Sequence, residues 1–122
     1  MAHEIIWEAH GVVKRFSGYL SSVEYLAAHH EVAESESMDR HIKYVINDFT
    51  GADRYSISED DLAIYAAERI GIAAYLPDIR GVFVAGNPTM MVLCELIESV
   101  CWTRHETRVF QTMAEARAWL KY

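Results

Sequence analysis

Residues 44–62 pass from Tyr44-Val45-Ile46 through Asn47-Asp48-Phe49-Thr50-Gly51-Ala52-Asp53 to Ser58-Glu59-Asp60-Asp61-Leu62. A strand, a polar loop and a helix start in succession make the junction at which open α/β sheets place their working surface. The run from Ile42 to Ile46 is β-branched and aromatic, which suits a pleated, half-buried surface. Asp48, Thr50, Gly51 and Asp53 carry short or absent side chains that favour turns, so a loop is expected there. Ser58 is placed to accept a backbone N–H as an N-cap. The acids Glu59, Asp60 and Asp61 fall in the first turn, where the helix dipole favours negative charge.

The rest of the chain repeats this alternation. His3–Ala9 and Val12–Phe16 read as a hairpin around His10-Gly11, with Gly18 ending the second strand. Ser21-x-x-Glu24 is a capping box opening a first helix, and 34–40 is a polar loop. A second helix spans about 59–76 and ends at Pro77-Asp78. Arg80–Ala85 is an apolar strand of the buried parallel kind. Asn87 and Pro88 cap and begin a third helix. Glu106–Phe110 is a last strand, and Thr112-x-x-Glu115 opens a fourth helix. The order is β-β-α-β-α-β-α-β-α. It predicts one α/β domain over residues 1–122, with a mainly parallel sheet and an antiparallel first edge strand. Lys14, Lys43, Asn47, Thr107 and Gln111 interrupt the strands and predict a partly wet sheet face.

Asp48-Phe49-Thr50-Gly51, leading through Ser56-Ile57-Ser58 into a helix, resembles the STAS domain of anti-sigma-factor antagonists. With Phe16–Ser21, Val109-Phe110 and Ala116-x-x-Trp119-Leu120, the whole chain resembles the SpoIIAA-like (STAS/Sec14-type) single-domain proteins. That resemblance implies strands added in sequence order, helices mostly on one face, and a non-enzymatic regulatory module working through Asp48, Thr50, Gly51 and Asp53. It also implies a phosphoacceptor at Ser58 or Ser56. The antagonist motif has an Asp before its serine pair and a Gly after it, whereas Ile57 and Glu59 flank Ser58 here. Three acids after Ser58 would repel a phosphate of roughly −2 charge, so a plain helix cap is the simpler reading. The Sec14-type side of the resemblance implies a carrier or sensor of a lipid or other small apolar ligand.

Chemistry beyond binding finds little footing. The six histidines form no H-E-x-x-H spacing, and Cys94 and Cys101 form no C-x-x-C pair. Nor is there a nucleophile elbow, a Walker loop or a dinucleotide fingerprint. No cofactor, metal or catalytic residue is therefore assigned, and a small enzyme of unknown type is the last-ranked alternative. The acids Asp48, Asp53, Asp60 and Asp61 already have structural reasons to stand at a helix start. A net charge of −7 argues against nucleic acid and against an anionic membrane surface. With two thiols about two helical turns apart, too distant to bridge, and no signal-like start, a cytoplasmic setting is expected.

Hydrophobic residues make up 52% of the 122, which leaves apolar surface to spare. The second helix is apolar nearly all round, with Tyr65, Ile72 and Tyr75 beside Ala66-Ala67 and Ala73-Ala74. Three readings stand open: a homodimer contact, an apolar ligand surface that includes the adaptable Met90 and Met91, or tyrosines that roof the core.

Overall fold

A computed structural model describes residues 2–35, 42–75, 79–100 and 106–122. Strands β1 (Ala2–Trp7) and β2 (Gly11–Ser21) lead into helix α1 (Ser22–Ala33). Then follow β3 (Tyr44–Ser56), α2 (Glu59–Tyr75), β4 (Arg80–Val84), α3 (Pro88–Val100), β5 (Thr107–Phe110) and α4 (Met113–Leu120). The sheet runs β1-β2-β3-β4-β5 in sequence order. β1 is antiparallel to β2, and every later pair is parallel.

Parallel neighbours need crossovers, and right-handed crossovers in one direction put their helices on one face. Phe16, Leu20, Phe49, Phe83 and Ala85 of the sheet therefore meet Tyr25, Leu62, Tyr65, Met90, Leu93 and Ile97 of α1, α2 and α3. Phe16 stacks on Phe49 with ring centroids 5.1 Å apart, and Tyr25 closes over both. Each fully buried side chain of this size contributes about 2–3 kcal/mol. The fourth helix is bound by no crossover. It lies on the opposite face, where Ala116 and Leu120 cover Val13, Tyr44, Ile46, Val82 and Val84.

Two long-reaching contacts hold α4 there. Arg117 donates to both carboxylate oxygens of Glu8 at 2.6 and 2.7 Å, and the Tyr44 hydroxyl donates to the same group. Arg80 donates to the Leu120 carbonyl at 2.7 Å, and its guanidinium lies over the Trp119 ring. The Arg117 guanidinium holds the Glu8 carboxyl below its ordinary range. This contribution is present above the ordinary glutamate value and fades as the pH falls through the depressed one. Arg117→Ala should cost about 1 kcal/mol, discounted because the pair is partly open to solvent. An unchanged urea midpoint would show that the pair does not anchor the helix.

β3 differs from expectation. Instead of ending near Ile46, it continues to Ser56, and β2 runs through Gly18 to Ser21. The residues that signal a turn produce bulges instead. Arg15 opposes Asp48 and Ser17 opposes Gly51, so two steps on β2 match three on β3. Gly18 opposes Ala52 and Tyr19 opposes Arg54, which inserts a second extra residue on β3. At the first bulge the Asp48 carboxylate accepts from the Thr50 amide at 2.9 Å and the Thr50 hydroxyl at 2.6 Å. At the second, Gly18 has φ +68°, a conformation open to glycine at little cost. Phe49 and Ala52 thus both face the helices although three apart, which an unbulged strand of period two does not permit.

Candidate functional site

At the carboxyl edge of the parallel strands three helix starts come together. Ser21 caps α1 by accepting from the Glu24 amide at 3.2 Å. Ser58 caps α2, accepting from the Asp61 amide at 3.1 Å while its hydroxyl donates to the Asp61 carboxylate at 2.8 Å. Asn87 caps α3, accepting from the Met90 amide at 2.9 Å. It also donates to the Ala52 carbonyl at 3.0 Å, which covers part of the β3 edge where β4 has already stopped. The first two starts are stitched together: Ser22 Oγ donates to the Ser56 carbonyl and accepts from the Ser58 amide. Hydrogen bonds from Ser22, then Ser58, hold the Asp61 carboxyl below its ordinary range.

β4 stops at the Asp48–Val84 register pair and β1 at the Ala2–Ser17 pair, and beyond these β2 and β3 continue alone as a parallel ribbon. Ser17, Gly18, Tyr19, Gly51, Asp53, Arg54 and Ser56 are exposed on it. Arg54 lies 5.8 Å from the Tyr19 ring centroid. Beside it, at the start of α1, Val23 is 78% exposed.

The residues expected to act at this junction divide. Asp53, Ser56 and Ser58 stand at the surface with Gly51 and Thr50. Asp48 does not. It is buried on the α4 side of the sheet, between Thr50 and the Arg15 guanidinium at 3.3 Å. Its oxygens serve the bulge and leave little for a partner. Of the proposed dimer or ligand surface, Tyr65 and Met90 are core residues with at most 1% exposure, because both belong to the cluster that α1, α2 and α3 bury against the sheet. Met91 is partly buried against the same core. Ile72 and Tyr75 lie outside the described side chains. Among the described residues no group of three or more His, Cys, Asp or Glu is arranged to hold a metal ion.

A second polar constellation lies inside the helix-covered face: Lys14 and Asn47, expected to mark a wet sheet surface, are buried there. Lys14 is 2% exposed and Asn47 fully buried, side by side in register on β2 and β3. The Lys14 ammonium sits 5.4 Å from the Tyr25 ring centroid and 5.8 Å from that of Tyr65. Cation–π attraction is strongest where water is excluded, as it is here. His29 meets Tyr65 edge-on at 4.9 Å. Asn47 Nδ2 donates to the Val82 carbonyl at 3.2 Å, but its Oδ1 has no hydrogen-bond partner among the described residues. The signal for this cluster is in the sequence. Lys14 stands two residues from Val12 and from Phe16, and Asn47 two from Val45 and from Phe49, so both share a face with core residues.

No protein-family model matches the chain, and no curated protein matches it either. The functional reading therefore rests on the geometry. No described helix is long and apolar enough to cross a membrane.

Proposed function

We propose that this chain is a non-enzymatic interaction module of the STAS-like class, with a SpoIIAA-like arrangement, that engages a regulatory protein through the carboxyl edge of its sheet. The observation that supports this reading is the β2–β3 ribbon standing beyond the rest of the sheet. It offers a tyrosine beside an arginine, two of the residue types enriched where protein interfaces concentrate their energy. Asp53 and Arg54 place both signs of charge on the tip, which suits a protein surface better than a polyanion. Ser56 and Ser58 are exposed within reach of a modifying enzyme, and phosphate on Ser58 would break its bond to Asp61 and open the stitched helix starts.

Tyr19→Ala and Arg54→Ala should each weaken capture of a specific partner by roughly tenfold or more, with Trp7→Ala at the opposite end of the sheet, beside Val12, as a control. Capture of the same proteins by all variants would remove this edge from consideration. A second reading, a carrier or sensor of a small ligand, draws on the buried Asn47 Oδ1 beside Lys14. Native mass spectrometry of the purified protein distinguishes it by a co-purified mass. The proposed homodimer has its remaining described surface on the outer side of α2, at Ala63, Ile64 and Ala67. Sedimentation across a concentration series tests it.

A further inference from the structure

His3 of β1 touches α1 twice. Its Nδ1 lies 2.8 Å from Glu24 Oε1 and its Nε2 2.8 Å from Glu31 Oε2. The two glutamates are about two helical turns apart and so line one side of α1. A neutral imidazole has one N–H and one bare nitrogen, and only the imidazolium can donate to both carboxylates. With one proton removed, one of these contacts becomes a lone pair facing a carboxylate. The double contact therefore requires the charged ring.

We propose that His3 is a pH-sensitive latch holding α1 against the edge strand β1, closed while the imidazole is protonated and released as it loses that proton. The hydrogen bond that His3 donates to Glu31, and less so the one to Glu24, outweighs burial and raises the His3 value above the ordinary 6.5. A raised folded value means that the stabilisation is complete below 6.5 and is lost as the pH climbs through the raised one. The groups facing His3 are Glu24 and Glu31 from α1 and the Phe16 ring from β2. Its neighbour Glu4 turns to Arg15 instead. α1 carries Tyr25 over the buried Lys14, so release of the latch loosens the cover of that cluster.

The far flank of α1 also bears imidazoles. His30 Nε2 sits 2.8 Å from Glu68 on α2, with His29 Nε2 at 3.0 Å from the same carboxylate. Lys14 lies over the Tyr65 ring that His29 also meets. A pH effect on the native protein alone would not separate the two flanks, and a comparison with His3→Gln does. Amide hydrogen exchange, corrected for intrinsic rates, should show α1 protection falling about fivefold relative to α4 between about pH 6 and about pH 8.5. In His3→Gln that ratio should stay flat, and in Glu31→Gln the fall should shrink. The ring nitrogens of His3 should both carry protons at about pH 7, where most exposed imidazoles are neutral, read by nitrogen chemical shift. A flat native ratio, or a full fall retained in His3→Gln, would overturn the proposal, as would a neutral His3 ring at that pH.

Discussion

Lys14→Ala should lower the unfolding free energy by about 2–4 kcal/mol, as large-to-small changes in cores do. The four-carbon stem lies under α1 and α2 with almost no exposure, so its removal leaves a void that the Tyr25 and Tyr65 rings cannot fill without moving. Lys14→Met should stay within about 1 kcal/mol of the native protein, because it keeps the volume and sheds the cost of holding an ammonium out of water. A thioether also packs well against aromatic rings. Chemical denaturation of the three proteins reads the order. A loss below about 0.5 kcal/mol for Lys14→Ala would place the side chain in solvent, the usual result for surface positions. The methionine variant has a further use: a folded protein that no longer carries a co-purified mass would connect the ammonium to ligand binding.

Gly11→Ala should cost about 3 kcal/mol, at the upper end of overpacking. A Cβ there would stand 2.5 Å from two carbons of the Tyr44 ring and 2.6 Å from the Tyr44 carbonyl oxygen. The ring could swing aside only by giving up its bond to Glu8. The carbonyl is backbone and cannot swing, since Gly11 and Tyr44 are register partners in parallel strands. Gly18→Ala makes the useful contrast. It has no neighbour within 4 Å, and its cost comes from φ +68° alone, about 1 kcal/mol. Thermal melts that rank the two variants in reverse would show that the β2–β3 pairing relaxes around Gly11.

The helix starts were legible because capping is local: Ser21, Ser58, Asn87 and Thr112 each bond an amide three residues on, as their spacing predicts. The element order and the antiparallel first strand followed from alternation alone. The central junction was harder. Asp48 and Thr50 make a local bond that serves a turn or a bulge equally well, and only the long partner strand β2 selects the bulge. Asn47 and Lys14 predict a wet face, because polar residues are usually outside. Their register and their apolar neighbours two residues away placed them with the core instead. The position of α4 was beyond local pattern, since it depends on Arg117 finding Glu8 and Arg80 finding the end of the helix.

A sheet whose strands add in sequence order grows in the direction of synthesis. Each strand leaving a ribosome finds its neighbour already present, so each parallel pairing closes only the single crossover that joins it, with Gly11 meeting Tyr44, Tyr44 meeting Arg80 and Gly81 meeting Thr107. The exception is the closing clasp, where Arg117 must return to a residue 109 positions earlier. Until it does, Val13, Tyr44, Ile46, Val82 and Val84 form a bare oily plateau on an otherwise assembled sheet. A nascent or truncated chain lacking α4 would show that plateau to chaperones and to its own copies.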